Sequence, residues 1–171
     1  CVGSANRYIA QMEIRSATLD DHSTIASIIL PVFRAGETYT IDPGVSEAEA
    51  VAYWTAPGKE TFVAVLDGTV LGTYYLKANQ AGGGGHVCNC GYMTSPDATG
   101  RGIASAMCER SLEIANSRGF KAMQFNFVVA NNTGAIRLWQ KFGFETVGRL
   151  PGAFLHPSDG YVDALVMYRE L

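Results

Sequence analysis

The sequence predicts one α/β domain, of the α+β or mixed α/β type, in which helices are interspersed with the strands of a mixed sheet. Two observations support this prediction. Strand-like runs and helical periodicities follow one another in the order βααβββαβαββ. The length of 171 residues allows one sizeable core, and no repeat or linker divides the chain.

The start of the domain is placed at Met12. The residues before it lack the basic-then-apolar layout of a signal peptide. We therefore interpret residues 1–11 as an upstream extension or a cloning remnant, and residues 12–171 as the single domain.

Composition and charge exclude two classes of protein. No apolar run approaches the roughly 18 residues that a transmembrane helix needs. The net charge is −3, and the 13 lysines and arginines are scattered rather than gathered in a basic stripe. We expect a protein of the cytoplasm that binds neither membranes nor nucleic acid.

The four cysteines form no CxxC pair and no zinc pattern. Cys88 and Cys90 are two residues apart, so they share one face of a strand. We interpret them as small buried residues in a reducing compartment, with a disulfide or a metal site as the alternative. No metal is expected.

The first elements are a strand over 12–17 and a helix that Asp20 or Asp21 can cap. Pro31 is expected to disturb this helix towards its end. A loop follows over 36–44. The buried stripe of the helix is Ile25, Ile28 and Ile29.

A short helix and a hairpin come next. Ser46 and Glu49 have the spacing of a capping box, which predicts a helix start at Ser46. The runs 61–66 and 70–76 are rich in strand-forming residues, and Asp-Gly at 67–68 is a strong hairpin signal between them.

The second half begins with a glycine-rich segment, 81–85, which lacks the ending of a phosphate-binding P-loop and is interpreted as a flexible connection. A strand over 86–94 and a long helix over 100–118 follow, and Gly119 ends that helix. A strand over 122–129, a helix over 131–142 and strands over 144–150 and 161–168 complete the domain.

The turn before the long helix carries two glycines. Glycine lets the backbone approach a ligand closely, and the first helical turn leaves N–H groups unpaired beside a partial positive charge. Such a turn suits a pyrophosphate. The alternative is a tight strand-to-helix turn with no ligand. The turn consists of Thr99, Gly100, Arg101, Gly102, Ile103 and Ala104.

A second segment, 132–144, has the sequence NTGAIRLWQKFGF and resembles the pattern Asn-x-x-Ala-x-x-Leu-aromatic-x-x-x-Gly-Phe of GNAT (GCN5-related) N-acetyltransferases. The turn at 99–104 resembles the acetyl-CoA loop of the same family, and the two motifs stand in the family's order. The resemblance implies a mostly antiparallel sheet of six to seven strands flanked by about four helices. It also implies an acetyl-CoA-dependent N-acetyltransferase.

Within that family, the chain is similar to phosphinothricin and azetidine-2-carboxylate acetyltransferases. This implies a small-molecule amine as the acceptor, with an amino acid or an amino-acid analogue as the finer reading, and a homodimer by analogy. A protein or peptide N-acetyltransferase and a catalytically silent acyl-CoA-binding module are the alternatives. The similarity rests on the segments 36–40, 86–89, 125–127, 148–151 and 160–164.

The resemblance also implies the cofactor site and direct attack of the amine in a ternary complex. The chain departs from the family at Thr99, where Gln or Arg is usual, and at Trp139, where many members carry a Tyr proposed as general acid. An indole cannot give up its proton to a thiolate. The implied cofactor-binding residues are Tyr92, Met93, Thr94, the turn Thr99–Ala104, Asn132, Ala135 and Trp139.

Three residues are candidates at the acceptor. Glu37 is the first candidate for the base that deprotonates the amine, with a solvated loop carboxylate as the alternative. Asn89 and Asn126 interrupt strand-forming runs, where Asn is disfavoured, and a buried amide needs a partner such as a substrate carboxylate. Asn126 could instead satisfy a neighbouring backbone group, and Asn132 could be only a helix cap.

Overall fold

The computed structural model describes residues 12–171, so the proposed extension at 1–11 lies outside the described residues. The element order is the predicted one. The helices are α1 (His22–Ala35), α2 (Glu47–Trp54), α3 (Ile103–Ser117) and α4 (Thr133–Lys141). The strands are β1 (Met12–Ser16), β2 (Glu60–Leu66), β3 (Thr69–Ala78), β4 (Val87–Thr94), β5 (Ala122–Val129), β6 (Glu145–His156) and β7 (Gly160–Glu170).

The seven strands form one sheet in the order β1-β2-β3-β4-β5-β7-β6. Five of the six neighbouring pairs are antiparallel, and only β4 and β5 run parallel. Within residues 12–171, this confirms the predicted mixed, mostly antiparallel sheet, which is accompanied by four α-helices. None of the helices within residues 12–171 is long and apolar enough to cross a bilayer.

The two faces of the sheet bury separate cores. Helices α1 and α2 cover one face, which we call the α1/α2 face, and α3 and α4 cover the other, the α3/α4 face. Burial of these faces supplies the main stabilising term, since each fully buried large apolar side chain contributes roughly 1.5–3 kcal/mol. The α1/α2 core includes Ile25, Ile29, Phe33, Trp54, Tyr75 and Met93, and the α3/α4 core includes Tyr74, Leu76, Cys88, Met107, Cys108 and Met123.

Helix α1 continues past its proline, which corrects the prediction that Pro31 disturbs the helix towards its end. Pro31 lies inside the helix, which extends to Ala35. Buried Ile29 precedes the proline and buried Phe33 follows it, so one apolar stripe packs on the sheet on both sides. We attribute the continuation to this packing, which offsets the lost backbone hydrogen bond.

The local turn signals are confirmed. Asp67 and Gly68 have φ angles of 49° and 81°, the left-handed conformations of a type I′ hairpin turn between β2 and β3. Ser46 Oγ accepts from the Glu49 N–H at 3.2 Å, and Glu49 Oε2 accepts from the Ser46 N–H at 3.0 Å. This is the predicted capping box.

The cysteines at 88, 90 and 108 are buried and free, as the composition led us to expect. All three lie in the core of the α3/α4 face. Burial raises the pKa of the Cys88 and Cys108 thiols to about 12. They therefore remain neutral thiols and pack as small apolar groups.

Candidate active site

Strands β4 and β5 separate soon after they meet. They pair only through Val87 with Ala122 and Cys88 with Met123. At the next position the side-chain Nδ2 of Asn89 donates to the backbone oxygen of Gln124 at 2.9 Å. An amide side chain thus takes the place of the next backbone bond and closes the narrow end of a V-shaped gap.

The backbone of β4 presents unpaired donors to this gap. Asn79 N–H donates to Val87 O and Ser95 N–H donates to Leu71 O, so odd-numbered residues of β4 turn their backbone groups towards β3. Lys121 N–H donates to His86 O, so even-numbered residues face β5. Because the direction alternates along a strand, the N–H groups of the residues at 90, 92 and 94 point into the gap.

A cavity of about 380 Å³ occupies the gap and connects the two faces of the sheet. Tyr92, Phe125 and Trp139 line it on the α3/α4 face. Tyr75 and Asn89 line it on the α1/α2 face. Two ligands that enter from opposite faces can therefore meet between β4 and β5.

The predicted cofactor residues divide into two groups. The residues at 92–94 on β4 and at 132, 135 and 139 on α4 all line the cavity. Met93, however, turns its backbone to β3 by pairing with Thr73, and its side chain is buried in the α1/α2 core. The useful donors are consequently the N–H groups of Tyr92 and Thr94.

The turn at 99–104 leads into α3 but does not line the cavity. The helix begins at Ile103, not at residue 100, because Gly100 and Gly102 both have φ of 78°. Gly102 provides no side-chain cap, and the first helical bond runs from Ala106 N–H to Gly102 O. The N–H groups of the first turn therefore remain free for an anion.

The side chains of this turn leave that space open. A Cβ placed on Gly100 or Gly102 would meet no atom of the described residues within 4 Å, apart from those of its neighbours along the chain. The Thr99 hydroxyl donates to Pro96 O at 3.1 Å, within its own loop, and Ile103 is buried in the core. Any pyrophosphate contact of this turn is therefore made by backbone N–H groups, and Thr99 takes no part through its side chain.

Trp139 forms one wall of the cavity. Its ring centroid lies 5.0 Å from that of Tyr92 and 4.8 Å from that of Phe125. The Tyr92 hydroxyl points away into the core, 2.6 Å from Ser111 Oγ, and burial raises its pKa well above the ordinary value. Neither side chain is placed to supply a proton inside the cavity.

Tyr39 closes the cavity from the loop after α1. Its hydroxyl donates to the Tyr92 backbone oxygen at 3.0 Å, across 53 positions of sequence. Burial raises the pKa of this hydroxyl. The neighbouring residues Thr38 and Thr40 also line the cavity. In the sequence, Tyr39 stood out only as part of the segment 36–40, because nothing local reveals a hydrogen bond to β4.

The candidate residues Asn126 and Glu37 are placed differently from Asn89. Asn126 lines the cavity but is exposed, which corrects the expectation of a buried amide. Its side chain donates to Asn79 Oδ1 at 2.7 Å and accepts from Gln124 Nε2 at 2.9 Å. Glu37 is exposed and is not among the described residues that line the cavity.

Asn132 caps its helix, as the alternative proposed. Its Oδ1 accepts from the Ala135 N–H at 3.4 Å, while the side chain also lines the cavity.

Asp163 accepts from Arg149 and from the Gly152 N–H at 2.8 Å, so it stabilises the β6–β7 pair.

The charge of the cavity was missed at the sequence level. Among the described residues that line it, Lys77 is the only charged side chain, and there is no Asp, Glu or His. Lys77 stands directly opposite Asn89 in the β3–β4 ladder. The register of the β3–β4 hairpin was the signal from which the position of Lys77 could have been predicted.

The described residues 12–171 also contain no cluster of three or more His, Cys, Asp and Glu side chains that could hold a metal ion.

Comparison with known proteins agrees with this geometry. The sequence model described as "Acetyltransferase (GNAT) family" matches residues 27–144. N-acetyltransferase aca1 of Schizosaccharomyces pombe is 32% identical over 161 residues, covering 84% of this chain and 77% of that protein. L-amino acid N-acetyltransferase AaaT of Escherichia coli is 30% identical over 114 residues, covering 66% of this chain and 69% of that protein.

A solved structure shows the same architecture. A GCN5-related N-acetyltransferase from Kribbella flavida superposes with a TM-score of 0.89 at 40% sequence identity, covering 94% of this chain and 98% of that one. The splayed strands, the free backbone donors and the open first turn of α3 fit the acetyl-CoA that this family uses. The chain belongs to the GNAT acetyltransferase family and is an acetyl-CoA-dependent N-acetyltransferase.

Proposed function

We propose that this chain transfers the acetyl group of acetyl-CoA to the amine of a small molecule, by direct attack within a ternary complex. The observation that carries the proposal is the cavity that crosses the sheet between β4 and β5. It brings the cofactor side and an acceptor side to the same backbone donors, so no covalent enzyme intermediate is required.

The cofactor would be held by backbone groups. The N–H groups of Ile103 and Ala104 at the start of α3 would bind its pyrophosphate, where the helix dipole adds partial positive charge. The pantetheine arm would follow β4 in the gap between the strands. Trp139 and Ala135 on α4 would form its outer wall.

The reacting carbonyl would lie near the Tyr92 and Thr94 N–H groups. These donors would stabilise the negative charge that develops on the thioester oxygen while the amine nitrogen bonds to the acetyl carbon and the carbon–sulfur bond breaks. The electron pair of that bond leaves on the sulfur of CoA. Most of the remaining rate enhancement comes from holding the two reactants together.

The described residues that line the cavity include no carboxylate or imidazole that could accept the proton of the amine. An ammonium group with a pKa of about 10 is roughly a thousandfold disfavoured as the free base at pH 7. Glu37 immediately precedes the lining residues 38–40 but is itself exposed. Any action of Glu37 as a base would therefore pass through water, and the thiolate would be protonated by solvent.

The acceptor is proposed to be an amino acid or an amino-acid analogue. The AaaT relative is named as an L-amino acid N-acetyltransferase. The acceptor side of the cavity carries the amides of Asn89 and Asn126, which suit a small polar ligand. A volume of about 380 Å³ also suits a ligand of that size.

The test is release of free CoA thiol from acetyl-CoA across a panel of amino acids, simple amines and short peptides. We expect turnover with amino acids. Turnover with peptides alone would support the rival function of a peptide N-acetyltransferase. Tight binding of CoA without turnover of any amine would support a silent binding module. The cytoplasmic location and the homodimer stay predictions.

A further inference from the structure

Lys77 occupies a distinctive place in the cavity. It lies on β3 directly opposite Asn89 of β4, so the two side chains project from the same face of the sheet. That face also carries Tyr75 and Met93, which belong to the α1/α2 core. Both Lys77 and Asn89 line the cavity, on the side away from the first turn of α3.

Lys77 has no counter-ion among the described residues. Within residues 12–171 it takes part in no ion pair, while Arg15, Arg110, Arg118 and Arg149 each bind a carboxylate. The described residues around it in the cavity contribute no Asp or Glu. A half-buried cation without a partner loses solvation, and an anionic ligand would restore the balance.

A second cation strengthens the positive charge of this side. Lys59 Nζ lies 3.6 Å from the ring centroid of Tyr53 and 4.2 Å from that of Tyr75, and both rings line the cavity. Burial, and then repulsion from Lys77, lower the pKa of Lys59 to about 8. The two lysines therefore act on the same region.

We propose that Lys77 determines acceptor specificity by binding the carboxylate of an α-amino acid. The inference rests on the proposed function and names the chemical class of its acceptor. Directly opposed side chains on paired strands have Cβ atoms about 5 Å apart, so one small molecule can contact both Lys77 and Asn89. The carboxylate would bind Lys77 beside Asn89, at the narrow end of the gap, and the amine would point along the gap towards the Tyr92 N–H, where the reacting carbonyl would lie.

The same charge excludes other amines. A polyamine or a lysine side chain would place a cation next to Lys77 without a carboxylate to compensate it. Repulsion between the like charges disfavours binding of such amines. Repulsion also disfavours the ammonium form of the acceptor amine. It therefore assists loss of the proton in a cavity whose described lining contains no carboxylate or imidazole.

The experiment compares two acceptors that differ only in the carboxylate, L-methionine and L-methioninamide. The ratio of their kcat/KM values is measured for the wild type, Lys77→Met and Lys77→Arg. Taking the change in the ratio cancels the different basicity of the two amines. Lys141→Met is the matched control, because Lys141 is exposed at the end of α4 and outside the cavity lining.

We expect Lys77→Met to lower the ratio of acid to amide by roughly 10- to 100-fold, mainly through the KM for L-methionine, as for loss of a charged hydrogen bond. Lys77→Arg should recover most of the ratio, and Lys141→Met should leave it unchanged. CoA affinity and thermal stability verify that each variant is folded.

An equal loss for acid and amide in Lys77→Met would overturn the inference while the proposed function stands. The inference would also fail if the wild type had a higher kcat/KM for L-methioninamide than for L-methionine, by only the factor that the lower basicity of the methioninamide amine explains. No thiol release with either compound or with any amino acid of the panel would overturn the proposed function, and the inference with it.

Discussion

Asn89 and Gln124 join β4 to β5 at the point where the strands part, through a hydrogen bond of 2.9 Å from a side-chain amide to a backbone oxygen. Asn89 is 8% exposed, so its lost solvation is compensated by this bond. The side chain of Asn89 also lines the cavity, and its amide carries an acceptor oxygen besides the donor used in this bond. One side chain thus stabilises the gap and offers an acceptor to a ligand.

Asn89→Ala should therefore affect both stability and catalysis. Loss of the donor leaves Gln124 O without its partner at a partly buried position, a cost of about 1–3 kcal/mol in the free energy of unfolding. The KM for the acceptor should rise more than the KM for acetyl-CoA. Urea denaturation and steady-state kinetics measure the two effects. A kinetic defect confined to acetyl-CoA would place Asn89 on the cofactor side instead.

Asn126→Ala is the matched control. Asn126 also lines the cavity, but it is exposed, and it forms hydrogen bonds with the side chains of Asn79 and Gln124. Water can replace these bonds. We expect a change of less than about 0.5 kcal/mol in unfolding free energy. If Asn126→Ala lowered the free energy of unfolding as much as Asn89→Ala, the hydrogen bond to Gln124 O would not be the cause of the Asn89→Ala effect.

Gly102→Glu should abolish most binding of CoA. The substitution places a carboxylate where the first-turn N–H groups of α3 are free, and it also strains a residue with φ of 78°. Gly119→Glu has equal strain, with φ of 84°, at the opposite end of the same helix. Calorimetric titration with CoA should give a Kd at least tenfold weaker for Gly102→Glu only. Equal affinities would refute the placement of the pyrophosphate.

Trp139 should report cofactor binding by fluorescence. The chain has two tryptophans. Trp54 is fully buried and donates to Thr73 Oγ1 at 3.0 Å, whereas Trp139 lines the cavity. Titration with CoA should change the emission of the wild type, and Trp139→Phe should remove the change. If the signal persists in Trp139→Phe, CoA does not reach α4.

Lys59 should give the protein a stability that rises with pH. Its pKa is about 8 in the folded state, below the ordinary value of 10.5, so the unfolded chain binds more protons between these values. The stability difference between wild type and Lys59→Met should therefore increase in favour of the wild type from pH 8 to pH 10.5. Guanidinium denaturation at both ends of this window measures it, and parallel pH profiles would contradict it.

The pH of the acid limb of the pH–rate profile should be set by the pKa of the acceptor amine, because the described cavity lining contains no carboxylate or imidazole that could act as the base. The limb of kcat/KM for L-methioninamide, whose amine is less basic, should lie at lower pH than the limb for L-methionine. Glu37→Gln should leave both limbs in place. A limb at one fixed pH for both acceptors, moved by Glu37→Gln, would instead make Glu37 the base.

Local signals in the sequence predicted most of the fold. The Asp67-Gly68 turn and the Ser46–Glu49 capping box depend on atoms within a few residues, so composition and spacing suffice to find them. The start of α3 was misplaced because two left-handed glycines, Gly100 and Gly102, delay the helix. Pro31 was misjudged because packing on the sheet, and not local propensity, maintains α1 beyond it.

The sequence by itself determined the order of elements, the family motifs and the choice of Asn89 as a candidate residue. Only the tertiary structure decided that Tyr39 reaches Tyr92, that Lys77 is the one charged side chain among the described residues of the cavity lining, and that Glu37 lies outside this lining. These relations join residues far apart in the chain. They depend on strand register and on where β4 leaves β5, and such long-range geometry arises from the packing of the two cores rather than from local propensity.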